Sequence, residues 1–296
     1  MRVVVTGREG QLARSLVERA AGIAGVELAA VGRPELDLEV AGSAARAIAA
    51  ADPEVVINAA AYTAVDRAEE EPDRAFRINA DAAGEVAEAA RSAGAAVIQI
   101  STDYVFDGRS PEPYGEHSPV SPTGVYGRSK LAGEERVRAA NPDHLILRTA
   151  WVYSPFGRNF VRTMLGLARN RDEVAVVDDQ RGTPTSALDL ADGLLAVLRA
   201  DRQRWGETFH FAGQGTCSWA DLAEETFRAS RELGGPTAKV RRITTAEFAA
   251  PAPRPAFSAL DSTRFEQAFG FTARDWRASL RAVVERLLSE EAAGRA

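Results

Sequence analysis

The chain has 296 residues, 45% of them apolar and 26% charged, with a formal net charge of −6. That negative balance argues against nucleic acid or an anionic membrane as a partner, and no apolar run is long enough to cross a bilayer. The single cysteine, Cys217, excludes an internal disulfide and any multi-cysteine metal site, and its expected place is a small buried position.

The opening "MRVVVTG" runs straight into an apolar strand and lacks the regions of a signal peptide, which indicates a soluble, cytoplasmic protein. Next, "VELAAVG", "EVVINAAA", "AAVIQIS" and "HLILRTAWVY" are Val- and Ile-rich and apolar nearly throughout, as parallel strands covered on both faces are. Between them, "QLARSLVERAAG" and "DRAFRINADAAGEVAEAARSAG" carry apolar residues at helical spacing, with Gly94 at a helix C-cap. Repeated βα units predict an α/β fold with a doubly wound, Rossmann-type parallel sheet.

After about residue 155 the rhythm changes. "SALDLADGLLAVL" and "SWADLAEETFRA" each open with Ser three places before Asp, a variant of the capping box. "PAPRPAF" predicts a rigid extended connector, "DWRASLRAVVERLL" an amphipathic helix, and "SEEAAGRA" a frayed tail. The division expected is a dinucleotide-binding domain with the catalytic residues over 1–155. A smaller substrate-binding lobe follows over 156–296, with some segments returning to the sheet. His117, His144 and His210 lie far apart without ligand spacing, so no metal site is expected from them.

"VVVTGREGQLARSLVERA" is strand, glycine turn, helix. Gly7 and Gly10 let the backbone approach a ligand, Ala13 takes the third position of the pattern, and the helix starting near Gln11 presents free N–H groups and its positive dipole end to a pyrophosphate. At the end of the second strand, "VGRPELD" has Arg33 where an acid would select the ribose hydroxyl of NAD. Arg33 with Arg8 would suit a 2′-phosphate, which favours NADPH, with NADH as the alternative. Asp37 and Leu38 would flank the adenine, and "NAAAYT" would bring Ala61, Tyr62 and Thr63 near the nicotinamide.

"QISTDYVFDG" ends a strand one βα unit before "GVYGRSKLAGEE", which places Thr102, Tyr126 and Lys130 around one cleft at the carboxyl ends of the strands. A phenol with a pKa near 10 is a poor acid at neutral pH, and a neighbouring ammonium that lowers it by about 3 units supplies roughly 4 kcal/mol. Such a tyrosine can protonate a carbonyl oxygen while a hydride arrives at the carbon.

The glycine turn, "STDYVFDG" and the Tyr-x-x-x-Lys pair resemble the extended short-chain dehydrogenase/reductases. The finer pattern resembles the dTDP-4-dehydrorhamnose reductase family. It is carried by "NAAAYTAVDRAEEEPDRAFRINADA", "YGRSKLAGE", "LRTAWVYSPFGRNF", "VVDDQRGTPT", "FHFAGQGTCSWADLA" and "RPAFSALD" across nearly the whole chain. The resemblance implies Tyr126 as proton donor, Lys130 as its partner and ribose ligand, and Thr102 as the carbonyl-binding hydroxyl. It further implies Gly10, Gln11 and Leu12 under the pyrophosphate, Thr102, Asp103 and Trp151 facing the sugar, and Asn159 and Arg181 at the nucleotide diphosphate. The reaction implied is reduction of a 4-keto group on a dTDP-6-deoxyhexose, with a nucleotide sugar as substrate and a homodimer as the assembly. Some members hold Mg2+ at a dimer contact, and no acidic set here matches it. Competing readings are a ketoreductase of secondary-metabolite deoxysugars, an epimerase or dehydratase of the same fold, and a non-catalytic NADP-binding regulatory subunit. A dehydratase would want Asp–Glu after the threonine, and here Asp103 is followed by Tyr104.

Overall fold

The computed structural model describes residues 1–293. Five strands alternate with helices through its first half: β1 Arg2–Thr6, α1 Gln11–Ala20, β2 Glu27–Val31, α2 Ser43–Ala51, β3 Val55–Asn58, α3 Val65–Glu70, α4 Pro72–Phe76, α5 Ala82–Ser92, β4 Ala96–Thr102, α6 Val125–Ala140 and β5 His144–Thr149. With a sixth strand, Thr208–His210, they form one sheet in the order Thr208–His210, β5, β4, β3, β1, β2, and every pairing is parallel.

Side-chain alternation along the strands explains why helices cover both faces. Val3, Val5, Ile57, Ile98, Leu145 and Leu147 point to one face, against Leu12 and Leu16 of α1. Val56, Val97 and Ile146 point to the other, against Ile48 of α2, Val86 of α5 and Val137 of α6. β2 departs from the expected pattern: it is the edge strand, and none of its residues is buried. Because β1 pairs with β2 on one side and β3 on the other, the chain reverses its winding there, and a crevice opens beyond the carboxyl ends of β1 and β3.

The second half contributes to this sheet as well as building its own lobe. α7 spans Phe160–Leu167, and α8, Ala187–Arg199, packs along α1. The lobe itself consists of α7, α9 (Trp219–Glu232) and α12 (Trp276–Ala293), beside a parallel pair, Glu173–Val177 with Lys239–Ile243. Short helices α10, Thr245–Phe248, and α11, Thr263–Phe269, complete the chain. α12 buries Trp276, Leu280, Val283, Val284 and Leu287, an apolar stripe at helical spacing.

Four local expectations are corrected. "HLILRTAWVY" is not one strand: the chain breaks at Trp151, whose φ is +47°, and Val152–Tyr153 pairs separately with Thr185–Ser186. The long alanine-rich helix is interrupted by a π-turn over Arg77–Asp81. Ser218 and Asp221 form the reciprocal capping box of α9, but at α8 only the serine caps. Asp189 is turned inward to Arg274 and Ser279, tying α8 to the entry of α12, because a buried carboxylate gains more from a guanidinium than from a backbone amide. Finally, "SEEAAGRA" begins inside α12, which continues to Ala293; residues 294–296 lie outside the described part.

Candidate active site

A cleft of about 750 Å³ runs along the carboxyl ends of β1, β3, β4 and β5. At one end lies the glycine turn. Gly7 has φ +89°, and a Cβ there would stand 3.2 Å from the Ala60 backbone, so the two strand ends approach as closely as only glycine permits. Gly10 is the N-cap of α1 and supplies no side-chain acceptor, which leaves the first N–H groups of the helix to face an anion. Gln11 and Leu12 line the cleft beside it. The Gln11 side chain reaches the segment after Val152–Tyr153, accepting from the Ser154 hydroxyl at 2.9 Å.

Arg33, Asp37 and Leu38 line the same end, together with Arg8. An acid that the sequence reading passed over is present nearby: Glu35, whose carboxylate is paired with Arg8. Arg8 also donates to the carbonyls of Gly32 and Arg33, both at 3.2 Å. Asp37 is held in a turn, its Oδ1 accepting from the Glu39 N–H at 3.0 Å. Ala61 and Thr63 border the centre of the cleft, but the Tyr62 ring does not. It is buried with Ala68, Ala75 and Val125, and its hydroxyl donates to Glu71 at 2.9 Å. The agent is Asn79, from the π-turn, which accepts from the Tyr62 N–H at 2.8 Å and donates to the Tyr62 carbonyl at 3.0 Å.

Beneath the centre runs a buried polar chain. Thr6 donates to Asn58 at 2.7 Å, Asn58 to Gln99 at 2.7 Å, and Gln99 to the Ile100 carbonyl at 2.9 Å. That same carbonyl accepts from Lys130 Nζ at 2.7 Å. Three strands, β1, β3 and β4, are thereby tied to one ammonium on α6. Without this chain the buried polar groups would each be left unpaired, at a cost of about 1–3 kcal/mol.

Tyr126 and Lys130 stand one turn apart on α6, and Thr102 closes β4 opposite them. Tyr126 meets Tyr104 edge to face, with ring centroids 5.4 Å apart. Burial pushes the Tyr126 phenol up to about 12, the Thr102 hydroxyl pulls it down, and the Asp103 charge pushes it up. Burial also brings the Lys130 ammonium down to about 8, against the pull of Glu134. Burial is the largest influence on the phenol, and Lys130 Nζ is held on the Ile100 carbonyl. Thr102 donates to Asp103 Oδ1 at 2.9 Å. Asp103 is buried, its Oδ2 has no hydrogen-bond partner, and burial raises its carboxyl to about 6.

Aromatic side chains wall the far end. Trp151 stacks on Trp219 with centroids 3.5 Å apart and planes 5° from parallel, and Phe160 packs on Trp219 at 4.8 Å. The sequence reading found Trp151 and missed Trp219 and Phe160, whose only advance signal was aromatic residues at the starts of two amphipathic helices. Asn159 and Arg181 do not reach the cleft wall. Asn159 caps α7, accepting from the Arg162 N–H at 3.1 Å, and Arg181 faces Asp221 at 3.9 Å. Among the described residues no group of three or more His, Cys, Asp or Glu stands in a metal-binding arrangement, and no helix is long and apolar enough to cross a membrane. Cys217 is buried, as expected, and its thiol is pushed up to about 12 by burial.

The family model described as the RmlD substrate binding domain matches residues 1–289. The chain belongs to that family, the dTDP-4-dehydrorhamnose reductases. A dTDP-4-dehydrorhamnose reductase of Sinorhizobium fredii is 45% identical, over 98% of this chain and 99% of its own. The solved structure of a dTDP-4-dehydrorhamnose reductase from Clostridium acetobutylicum is 43% identical, superposes with a TM-score of 0.91, and is matched over 97% of this chain and 100% of its own. The family member from Bacillus anthracis, solved in complex with NADP, is 35% identical, with a TM-score of 0.88 and coverage of 98% and 99%.

Proposed function

We propose that this protein reduces the 4-keto group of a dTDP-4-keto-6-deoxyhexose with NAD(P)H, converting dTDP-4-dehydro-L-rhamnose to dTDP-L-rhamnose. The observation that carries the reading is the placement of Thr102, Tyr126 and Lys130 in one cleft with the glycine turn. The cofactor reading fits the residues present: the Gly7 cradle admits no side chain, and the start of α1 has no side-chain cap. Gly10, Gln11 and Leu12 would hold the pyrophosphate, Asp37 and Leu38 the adenine end, and Ala61 and Thr63 the nicotinamide end. Bound there, a reduced nicotinamide supplies the hydride.

The chain's own groups do the rest. Thr102, its hydroxyl turning from Asp103 to the substrate, orients the carbonyl oxygen by a hydrogen bond, and Tyr126 O–H gives that oxygen its proton, so that with the hydride on carbon the ketone becomes an alcohol. Lys130, charged, stabilises the phenolate left behind. Asp103 and Trp151 would face the sugar. Arg33 and Arg8 in the cleft lining support NADPH over NADH, and Glu35, the nearby acid, is absent from that lining and paired with Arg8. The dehydratase alternative lacks its second carboxylate, because the position after Asp103 is Tyr104.

The test follows nicotinamide absorbance with dTDP-4-dehydrorhamnose and each cofactor. Tyr126→Phe should lower kcat/KM by about 10² to 10⁴ and leave cofactor affinity unchanged. Full turnover in that variant would remove Tyr126 as the proton donor, and no oxidation by the wild type with either cofactor would remove the substrate.

A further inference from the structure

Glu134 lies one helical turn beyond Lys130 on α6, and its side chain is wholly buried. It accepts from Ser101 Oγ at 2.6 Å, from Arg148 Nε and Nη2 at 2.8 Å each, and from Arg138 Nη2 at 3.0 Å. Burial pushes its carboxyl up, but Arg148, Ser101 and Arg138 together hold it below the ordinary range, so the site is anionic at neutral pH. The Arg148 guanidinium is itself buried and leaves Nη1 without a partner, an arrangement that costs stability and calls for a use.

Lysine is almost absent from this chain: of the 36 Lys and Arg residues only Lys130 and Lys239 are lysine. The one buried cation beside Tyr126 is thus of the type that can lose its proton, in a sequence that elsewhere uses arginine. The charges around Lys130 divide by element. On α6 are Tyr126 and Glu134, on β5 Arg148, after β4 Asp103 and Tyr104, and on α3 Glu69, whose Oε1 caps the Val125 N–H. The remaining neighbours on α4, the π-turn and α5 are paired among themselves or at the surface: Arg74 with Glu39 and Glu71, Arg77 with Glu85, and Asp81 with Arg136. Of these, Glu134 is the charge that works against desolvation of the lysine.

We propose that Glu134, locked by Arg148, Arg138 and Ser101, is a positioning residue that keeps the Lys130 ammonium charged at the floor of the cleft. It touches neither substrate nor cofactor and acts only through the lysine. The inference rests on Lys130 belonging to the reductase site, but it can be tested without turnover.

Two lysines make the test direct. Protein labelled with carbon-13 at the lysine ε position gives two resonances, with exposed Lys239 as the internal reference. In wild type the Lys130 resonance should titrate near pH 8. In Glu134→Gln the midpoint should fall by about one pH unit or more, and Glu134→Asp should return it toward wild type. The alkaline limb of kcat/KM should move with it. If Glu134→Gln alone does not fold, Arg148→Met, which keeps Glu134 and removes its buried cation, should move the midpoint the other way, above wild type. A Lys130 midpoint within about 0.3 unit of wild type in either folded variant overturns the proposal. Since the resonance reads Lys130 whatever the substrate, that result is distinct from a failure of the reductase reading, which absent turnover alone would signal.

Discussion

Asp103→Asn is expected to stabilise the protein while impairing the reaction. The carboxyl is buried, its Oδ1 accepts from Thr102, and burial holds its pKa at about 6 against an ordinary 3.8 even though Ser258 and Thr102 pull it down. A group whose pKa is higher folded than unfolded favours the fold when protonated. Its contribution is present in full below pH 4 and is lost as pH rises through 6. Two units correspond to about 3 kcal/mol at neutral pH, where both states are ionised. Asparagine keeps the Oδ1 acceptor for Thr102 and carries no charge to desolvate. Urea unfolding of both proteins from pH 4 to pH 8 isolates this one group, because other titrations cancel in the difference. Relative to its value at pH 4, where the unfolded carboxyl is already more than half ionised, the advantage of Asp103→Asn should grow by about 2.4 kcal/mol by pH 7 and then level off. In thermal unfolding this is roughly 5 °C at about 2 °C per kcal/mol. A difference independent of pH would show that the carboxylate is not strained by burial, and the reasoning would fail. Should activity fall in the same variant, the strain is the cost of presenting an anion to the sugar.

Other substitutions probe the scaffold. At Gly133 a Cβ would stand 2.0 Å from the Asn79 carbonyl. Alanine gains about 1 kcal/mol in helix propensity but forces α6 off the π-turn at about 1–3 kcal/mol, so Gly133→Ala should be net destabilising and lower kcat; a variant more stable in urea would refute this. Gly182→Ala would bring a Cβ to 2.5 Å from the Trp151 ring, and KM for the nucleotide sugar should rise about tenfold with KM for the cofactor unchanged, as steady-state kinetics would read. For Arg33→Ala, KM for NADPH should rise about tenfold while that for NADH stays put; equal effects on both would remove Arg33 from 2′-phosphate recognition.

What could be read from the sequence follows the range of the interactions involved. Gly7, Gly10, Thr102, Tyr126 and Lys130 sit at strand ends and on one helix turn, where local periodicity fixes direction, and the structure lines all five along one cleft. Residues whose direction depends on a distant partner were not legible. Tyr62 is turned away by Asn79, Asn159 is taken by its own helix, and Arg181 faces Asp221. The polar chain from Thr6 through Asn58 and Gln99 was invisible for the same reason, since its members are neighbours only once β1, β3 and β4 are side by side.

The π-turn over Arg77–Asp81 has a consequence for how such a chain can change. A π-turn closes its hydrogen bonds one residue later than an α-turn, so it takes up one extra residue while the helix on either side stays in phase. Deleting one residue here would therefore restore a regular helix with the alanine face of α5 still on the sheet. What would be lost is the wide turn that sets Asn79 against Tyr62 and Ser129. The core can tolerate such a deletion, and the Tyr62 anchor cannot.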